Sequence, residues 1–412
     1  MTFVSDRSRD NTLFTIDATP PRRFLHVATR YLRGGSERRI RDVVRSFPEA
    51  EHHLVLGLES DADLARREIA PASLTILPTL VREPNPLRDL DAFRRLARIL
   101  NGAHFDLVVT HQSKAGVLGR AAAWFPSVPV VHSLSMANFG AGYPGWQSAA
   151  FRLLESTLAR LTAAYVVVGT DLARRYEAVG VPREKLHVVR SGVPLPMTDG
   201  RTSEKTKVCR AFDLPADRPL ILSLGSLEPR KNVLELPRLL RHLMAPGVSS
   251  TTSPRPFLVV AGDGPLGGRL RRDLRAAGVA DDARLLGFVP DLRPLVAAAD
   301  AVVLLSSAEG VPQVLVQAAA AGVPFVAYAV DGVNELLGLG ATGVAVPMGN
   351  VAEVAAATLS MLGRERAQRR VSIDLTTWSP DAIDSEYRRV IGAVLAARSG
   401  RTARPRERST AP

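Results

Sequence analysis

The chain has 412 residues, of which 46% are hydrophobic and 5% aromatic, and it carries a net charge of +12. This length predicts two domains with sizeable cores, and the single cysteine, Cys209, excludes an intrachain disulfide and a cysteine metal cluster. The positive charge favours anionic ligands such as nucleotides, phosphates or an acidic membrane surface, whereas few aromatics and no nucleic-acid motif argue against specific nucleic-acid binding.

The first half of the chain alternates predicted strands with predicted helices. Residues 1–21 are polar and lack the apolar core of a signal peptide, so they are expected to be a disordered lead. After a first strand at 22–28, Gly34 and Gly35 form a loop that a ligand can approach closely, and Ser36 caps the next helix. Further strands are predicted at 52–57, 74–77, 105–110, 128–132, 164–168 and 186–189, and further helices at 86–100, 117–124 and 143–161.

The second half repeats this alternation after a segment rich in Gly, Pro, Ser and Thr. An interdomain linker is therefore expected at 198–206, between a first domain at 22–197 and a second at 207–377. A last helix is predicted at 378–397 and a basic disordered tail at 398–412. The strands of the second domain are predicted at 219–224, 257–261, 284–286, 301–305, 325–329 and 343–346.

This alternation is typical of α/β folds in which helices cover both faces of a parallel sheet. Open sheets of this kind bind ligands beyond the carboxyl ends of their strands. The polar and glycine-rich loops of this chain follow predicted strands. Two such sheets that face each other would place these loops on opposite walls of one cleft.

The stretch 305–335 has the pattern strand, glycine-containing turn and helix N-terminus, a geometry that holds an anion. Glu309 lies in the turn, where its carboxylate can accept from sugar hydroxyls, and Gln317 lies one turn into the helix, where it can bond a diol. Taken alone, the stretch also fits a buried crossover with a solvated glutamate. Residues 311–330 are uncharged and as long as a membrane span, but their prolines and glutamines favour a helix and a strand in a soluble core.

Two further loops carry residues that can hold phosphate. In LGSLEPRKN, Arg230 and Lys231 stand at a turn between a strand and a helix, although alone they also fit solvated surface cations. In AGDGPLGGRL, Gly262 and Gly264 begin a G-x-G-x-x-G pattern, the fingerprint of dinucleotide binding. A nicotinamide oxidoreductase is therefore an alternative, but a proline in the turn and the motif's position deep in the chain count against it.

The chain resembles a known family through an ordered set of motifs. These motifs are RGGSE (33–37), THQSKAGVLGR (110–120), VVHSLSM (130–136), VVRSGV (188–193), LGSLEPRKN (224–232), VVAGDGP (259–265), LLGFVPD (285–291), SSAEGVPQVLVQAAAAGVP (306–324) and VDGVNE (330–335). In this order they are similar to those of the retaining nucleotide-sugar glycosyltransferases of family four, which have the GT-B fold. The resemblance covers residues 22–395, and its HQSKAG stretch is most similar to members that build bacterial exopolysaccharides or lipid-linked glycans.

The resemblance implies an enzyme that moves a sugar from a nucleotide-diphosphate-sugar donor to a hydroxyl acceptor with retention, without a metal or other cofactor. Two Rossmann-like domains would face a central cleft, with the donor mainly on the second domain, the acceptor on the first, and the last helix crossing back to the first. The acceptor would be lipid-linked or a small metabolite, and the product a glycan, a glycolipid or a glycosylated metabolite.

The resemblance also assigns the site residues. The catalytic residues are expected to be Glu309, which contacts the donor sugar, Lys231, which binds the diphosphate, and Ser135. The donor-binding residues are expected to be Gly34, Gly35, Ser226, Arg230, Lys231, Gly262, Gly264, Gly287, Phe288, Glu309, Gly310, Val311, Pro312, Gln313 and Gln317. The acceptor-side residues are expected to be His111, Lys114 and His132.

Three positions depart from the family's pattern: Ser135 replaces a usual histidine, Ser226 a usual arginine, and Gln317 a usual glutamate. Glutamine can still bond a ribose diol, whereas an unreplaced phosphate-binding cation is a loss of about 1.5–3 kcal/mol. Arg230 is a candidate replacement, provided that it points the same way as Lys231. The departures support a second hypothesis, in which a degenerate homologue acts as a binding or activating partner of another transferase.

The helix predicted at 36–47 is basic on one side and apolar at Ile40, Val43, Val44 and Phe47. Its apolar stripe fits the domain core, or alternatively peripheral contact with an anionic membrane. A chain with one cysteine suits the reducing cytoplasm. The expected location is therefore the cytoplasm, with contact at the inner face of the cell membrane as a further hypothesis.

Overall fold

The computed structural model describes residues 21–32, 35–140, 144–193, 202–245, 254–363 and 373–402. Gly34, nearly all of the predicted lead and most of the predicted tail lie outside the described residues. The described residues form two separate parallel sheets with helices packed on them, which confirms the predicted α/β fold class.

The first sheet consists of seven short strands, most of them rich in Val and Leu. They are β1 (Arg23–Ala28), β2 (Glu51–Gly57), β3 (Ser73–Leu77), β4 (Leu107–His111), β5 (Val130–Leu134), β6 (Ala164–Val167) and β7 (Leu186–Val188). Their order is β3-β2-β1-β4-β5-β6-β7, and every pair is parallel. The register sets Val27 of β1 between Val55 and Thr110. Central strands of this sheet are buried on both faces, which is why they appear in the sequence as continuous apolar runs.

The helices of the first half connect these strands. They are α1 (Gly35–Ser46), α2 (Ala62–Ile69), α3 (Pro86–Gly102), α4 (Ser113–Trp124), α5 (Gly145–Leu158) and α6 (Thr170–Glu177). Side-chain caps fix two of the starts, because Asp61 accepts from the backbone N–H of Leu64 at 2.8 Å and Asn85 accepts from that of Arg88 at 3.1 Å. Helix α2 was not predicted from the sequence, because it has only eight residues and half of them are charged.

The second sheet has six parallel strands. They are β8 (Leu220–Leu224), β9 (Phe257–Ala261), β10 (Ala283–Gly287), β11 (Ala301–Leu304), β12 (Phe325–Tyr328) and β13 (Gly343–Val346). Their order is β10-β9-β8-β11-β12-β13, with a hydrophobic cluster on each face of the sheet. The strand order reverses beside β8, as it does beside β1 in the first sheet. Such switch points leave a crevice beyond the strand ends, where ligands of open α/β sheets bind.

The second half contains eight further α-helices within the described residues. They are α7 (Thr202–Ala211), α8 (Leu236–Leu243), α9 (Gly267–Ala276), α10 (Arg293–Ala298), α11 (Gln313–Ala320), α12 (Val333–Gly338), α13 (Val351–Leu362) and α14 (Pro380–Thr402). The last of them returns to the first domain and packs against α1. Ile383 and Tyr387 of α14 share a buried cluster with Phe24 and Val43 of that domain.

Several helix ends differ from the sequence predictions. Ser36 lies inside α1 instead of before it, and α4 begins at Ser113, four residues early. Helix α7 occupies 202–206, which the sequence analysis assigned to the linker, and α14 continues to Thr402, beyond its predicted end at 397. A tertiary contact extends α14, because Arg398 donates to two backbone carbonyls just before β4, at 3.0 and 2.8 Å. Such a contact between distant segments is invisible in local sequence.

The apolar stripe of α1 faces the core. Ile40, Val43 and Phe47 are buried, and even Arg39 is enclosed, where it donates to the hydroxyl of Ser133 at 2.8 Å. The hypothesis that this stripe contacts a membrane is therefore wrong, because the stripe is already covered. None of the described helices combines the length and the apolarity needed to cross a bilayer. The long uncharged stretch of the second domain forms α11 and β12, as predicted.

Three buried histidines form a hydrogen-bonded line across the first sheet. Ring nitrogens of His26 lie 3.0 Å from His52 and 3.4 Å from His111, and His52 Nε2 lies 2.9 Å from the carbonyl oxygen of Phe47. A carbonyl only accepts, so His52 donates to it, His26 donates to His52, and His111 donates to His26. Burial, followed by the neighbouring histidines, holds the pKa of His26 well below its usual value. Burial, followed by the charge of Arg39, lowers the pKa of His111 to about 3.

Because of these buried histidines, the protein is expected to be less stable in acid. The unfolded chain binds protons on them near pH 6.5, while the folded chain keeps them neutral, so the unfolded state is favoured below that pH. The contribution of these histidines to the free energy of unfolding should be fully present above pH 6.5. Below pH 6.5 it should fall by about 1.4 kcal/mol per pH unit for each such histidine. Urea unfolding across this range measures the slope. In the variant His26→Asn, the free energy of unfolding should change less steeply with pH, by the equivalent of about one bound proton. Equal slopes in the variant and the unchanged protein would contradict the conclusion that His26 stays neutral in the folded state.

Candidate functional site

The loops after β8 and β11 meet beyond the carboxyl ends of the second sheet. Lys231 Nζ lies 2.5 Å from Glu309 Oε1, and Arg230 Nη1 lies 3.2 Å from the same oxygen. The backbones of the loops are joined as well, because the N–H of Ser307 donates to the carbonyl of Arg230 at 2.8 Å. Two motifs that the sequence analysis selected separately, 78 residues apart, therefore form one site.

Glu309 is a largely buried carboxylate held between two cations. Burial by itself raises the pKa of its carboxyl, but the charge of Lys231 and then that of Arg230 outweigh burial and hold the pKa below its usual value. The carboxylate is therefore ionised at neutral pH. An anionic ligand that reaches the two cations would compete with Glu309 for them.

Arg230 points into the site beside Lys231. Its guanidinium donates to the carbonyl of Ala308 at 2.9 Å and to the carboxylate of Glu228 at 2.8 Å, in addition to its contact with the site carboxylate. This direction could not be predicted from the sequence. A second cation thus stands next to Lys231 even though Ser226 carries no charge, and Ser226 lines the same small recess as Lys231.

Gly262 and Gly264 pack against protein backbone. A Cβ at Gly262 would lie 1.8 Å from the carbonyl oxygen of Gly225, and a Cβ at Gly264 would lie 2.6 Å from that of Leu227. Both glycines have left-handed φ values, 153° and 156°, which other residues rarely adopt. They let the loop after β9 pack directly on the loop that carries Ser226. This packing accounts for both glycines without dinucleotide binding, and their predicted contact with the donor stays a prediction.

Gly287 and Phe288 form an open edge of the same site. Gly287 ends β10 with a φ of 73°, and no atom lies within 4 Å of the position that a Cβ would take. Its carbonyl accepts from the N–H of Gly262 at 2.8 Å, which fixes it to the loop after β9, while Phe288 is exposed. An exposed ring beside a fixed backbone is suited to a flat heterocycle, and the predicted contact with the donor base stays a prediction.

The N-terminus of α11 is directed at the turn that carries Glu309. Pro312 precedes Gln313, the first residue of α11, and the first N–H groups of a helix attract anions. Gln317 lies one turn further and is only 7% exposed. Its side chain is mostly enclosed by protein, so its predicted contact with a ribose also stays a prediction.

Gly310 and Val311 bring the second domain directly against the first. A Cβ on Gly310 would lie 1.9 Å from the carbonyl oxygen of Ser135, and a Cβ on Gly169 would lie 2.6 Å from a methyl of Val311. Ser135, predicted to be catalytic, thus presents its backbone to the turn that carries Glu309. The position of that turn depends on both domains.

Gly310→Ala is predicted to separate the two domains at this turn. The added methyl cannot fit beside the Ser135 carbonyl, so the turn and Glu309 must shift. Because misplacement by about 1 Å can lower rates a hundredfold, we expect a loss of turnover of that order. Steady-state kinetics measures it. Gly363→Ala, where a Cβ meets only ordinary contacts at 3.6 Å, is the matched control; equal rates for the two variants would contradict the prediction.

A set of polar contacts joins the domains next to this turn. Arg190 of the first domain forms an ion pair with Glu335, which also accepts from the N–H of Thr170 at 3.1 Å. Asp171 accepts from the N–H of Gly332 at 3.0 Å. Sequence reasoning missed these contacts, although Arg190 and Glu335 lie within two of the motifs. The two residues are 145 positions apart, and only the fold brings them together.

Two of the three predicted acceptor-side residues are buried. His111 and His132 are 2% and 0% exposed, and His132 Nδ1 lies 2.8 Å from the hydroxyl of Thr110. Lys114 pairs with Asp89 of α3 at 2.7 Å. The structure therefore contradicts acceptor contacts by the two histidine side chains, because both are enclosed by the protein, whereas the predicted acceptor role of Lys114 stays a prediction. Gly35 begins α1 at the end of the loop after β1, and its predicted donor contact is untested.

Two protein-family models match most of the chain. The model described as Glycosyl transferase 4-like domain matches residues 34–192, and the model described as Glycosyl transferases group 1 matches residues 204–374. The first match contains nearly all of the first sheet and the second match contains all of the second sheet.

Known proteins resemble the chain over both halves. It is 26% identical over 264 residues to the UDP-Gal:alpha-D-GlcNAc-diphosphoundecaprenol alpha-1,3-galactosyltransferase of Escherichia coli, covering 63% of this chain and 67% of that protein. It is 28% identical over 326 residues to the D-inositol 3-phosphate glycosyltransferase of Thermobispora bispora, covering 71% and 74%. Among solved structures, Anabaena HepE in complex with UDP is similar with a TM-score of 0.67 at 19% identity, covering 93% of this chain and 100% of HepE.

Proposed function

This chain belongs to the GT-B glycosyltransferases of family four, and we propose that it transfers a sugar from a nucleoside-diphosphate donor to a hydroxyl acceptor with retention of configuration. The observation that carries the proposal is the contact of Glu309 with Lys231 and Arg230 beyond the strand ends of the second sheet. A carboxylate that suits sugar hydroxyls and two cations that suit a diphosphate stand side by side there.

Donor binding would exchange the partners of these groups. The diphosphate would take over Lys231 and Arg230, which contact Glu309 in the structure, and Glu309 would then accept from hydroxyls of the donor sugar. Negative charge builds on the diphosphate as the bond to the sugar breaks, and the two cations and the N-terminus of α11 would stabilise it. We propose that this positive charge serves in place of a metal, and that the nucleotide sugar is the only co-substrate.

The relatives suggest the first substrates to test. HepE was solved with UDP, and the name of the Escherichia coli relative gives a UDP-sugar as donor and a lipid-diphosphate-linked sugar as acceptor. The Thermobispora bispora relative is named for a small metabolite, inositol phosphate. We therefore propose a UDP-sugar as donor and a hydroxyl on a lipid-linked glycan or a small metabolite as acceptor. The proposed location is the cytoplasm at the inner face of the cell membrane.

A turnover screen with UDP-, GDP- and TDP-sugars, read as released nucleotide, tests the proposal together with calorimetric titration of the free nucleotides. We expect UDP to bind, at least one UDP-sugar to be consumed, chelators to leave the rate unchanged, and NMR of the product to show the donor's anomeric configuration. Absence of binding by every nucleotide would refute the proposal. Binding without any turnover would instead support the degenerate homologue suggested by Ser135, Ser226 and Gln317.

A further inference from the structure

Two helices start opposite each other at the boundary between the domains. Helix α6 of the first domain begins at Thr170, and helix α12 of the second domain begins at Val333. The first N–H groups of a helix have no partner inside it, so they need an acceptor from outside. In this described part of the chain, the residues that precede the two helices, Gly169 and Gly332, have no side chain that could act as a cap.

Each start is instead capped by a carboxylate of the other domain. Glu335 on α12 accepts from the N–H of Thr170 at 3.1 Å. Asp171 on α6 accepts from the N–H of Gly332 at 3.0 Å. A Cβ on Gly169 would lie 2.7 Å from Oε2 of Glu335, so the glycine lets that carboxylate approach. Negative charge at a helix start is favourable, and here each charge stabilises a helix across the domain boundary.

Arg190 adds a cation from the first domain to these caps. Its guanidinium forms an ion pair with Glu335, and the two side chains are only 13% and 8% exposed. The guanidinium also donates to the carbonyl of Val168 at 3.0 Å and lies 4.5 Å from the ring centre of Trp378. Trp378 belongs to the core of the second domain and precedes α14, the helix that returns to the first. Arg190 therefore contacts the second domain at two separate segments.

The caps are also packed against the turn that carries Glu309. A Cβ on Gly332 would lie 2.5 Å from the carbonyl oxygen of Gly310 and 2.7 Å from the Cα of Val311. The backbone that Asp171 holds is therefore in direct contact with this turn. A shift of the domains at the two caps would displace the turn as well.

We propose that Asp171, Arg190 and Glu335 are positioning residues for the transfer, which act as an interdomain clasp and do not touch substrate. The clasp would hold the turn of Glu309 in its place against the first domain. Because its three side chains are charged, water can solvate them when the domains separate, so the clasp can open and form again as substrates enter and products leave. Its role in transfer rests on the proposed function, whereas its effect on the domain arrangement does not.

Small-angle X-ray scattering tests the clasp without donor or acceptor. Glu335→Ala removes the ion pair and one helix cap, so the domains should spend more time apart and the radius of gyration should increase. Calorimetric titration should give an unchanged Kd for UDP, because the variant keeps Lys231 and Arg230. In steady-state kinetics kcat should fall about tenfold or more, since a hydrogen bond to a charged group is lost at the clasp.

Variants of Asp171 test the second cap. Asp171→Asn keeps an oxygen that can accept from Gly332, so it should retain kcat better than Asp171→Ala. Asp63→Ala is the matched control. Asp63 and Asp171 both lie in the first turn of an eight-residue helix and pair with an arginine three positions later, but Asp63 is exposed at the surface. Asp63→Ala should match the unchanged protein in radius of gyration and in kcat.

An unchanged radius of gyration in Glu335→Ala would overturn the proposal, as would equal kcat values for Asp171→Ala and Asp63→Ala. Weaker binding of UDP by Glu335→Ala, in proportion to its loss of kcat, would also overturn it, because Glu335 would then belong to the donor site. If Glu335→Ala does not fold, the radius of gyration of Asp171→Ala is compared with that of Asp63→Ala instead. A larger radius in the clasp variants without turnover by the unchanged protein would support the clasp and count against the proposed function alone.

Discussion

Replacing Glu309 with alanine is expected to lower kcat by about 10²–10³-fold while the protein still folds and still binds nucleotide. The variant loses the carboxylate assigned to the donor sugar, but it keeps Lys231 and Arg230. Both cations are then released from their contact with Glu309, so the affinity for a nucleoside diphosphate should be maintained or increased. Steady-state kinetics and calorimetric titration measure the two effects separately.

The separation of these effects makes the prediction specific to the site. Glu309→Gln keeps the shape of the side chain without its charge, and it should fall between alanine and the native residue in kcat. Glu353→Ala, at an exposed glutamate of α13, is the control and should leave both measurements unchanged. Unchanged turnover in Glu309→Ala would refute the assignment of this residue, and a joint loss of folding and nucleotide binding would show a structural role instead.

The second large effect concerns stability, at the buried ion pair between α4 and α5. Arg120 Nη1 and Nη2 each lie 2.8 Å from an oxygen of Glu155, both side chains are fully buried, and Arg120 also donates to the hydroxyl of Tyr165 at 2.9 Å. Glu155→Ala would leave a buried arginine without its carboxylate. We expect the free energy of unfolding to fall by about 3–5 kcal/mol. Urea unfolding at neutral pH measures the change.

Two comparisons test the cause of that loss. The double variant Arg120→Met/Glu155→Leu removes both charges, and it should be less destabilised than Glu155→Ala because no unpaired charge stays buried. Glu49 forms a similar two-contact pair with Arg388, but on the surface, so Glu49→Ala should change stability by about 1 kcal/mol or less. Equal losses for Glu49→Ala and Glu155→Ala would show that burial of the charge is not the reason.

Much of the architecture could be predicted from the sequence. The strands Phe257–Ala261 and Gly343–Val346 have the predicted bounds, and the others agree within about two residues. Strands inside a covered parallel sheet are short apolar runs between turns, which is a strong local signal. The helix Ala62–Ile69 was missed because its local signal is weak. It is short, half of its residues are charged, and it buries only one side against the domain.

Some predictions for the candidate site agree with the structure and others do not. Lys231 and Glu309 were assigned to one site through the resemblance, and the structure places them in contact. The resemblance assigned His111 and His132, which lie at the ends of predicted strands, to the acceptor side, yet both are buried. Which face of a strand is covered by helices depends on how the chain packs, so a strand-end position alone does not determine whether a side chain reaches the cleft.

The sequence by itself determined the two α/β domains and the family, because apolar alternation and ordered motifs are local properties of the chain. Only the tertiary structure decided that Arg230 points at Glu309, that Gly310 brings the second domain against Ser135, and that the apolar stripe of α1 is buried. Each of these depends on contacts between segments far apart in the chain. Local sequence records the periodicity of a helix, but the neighbours that cover its faces are set by the packing of the whole molecule.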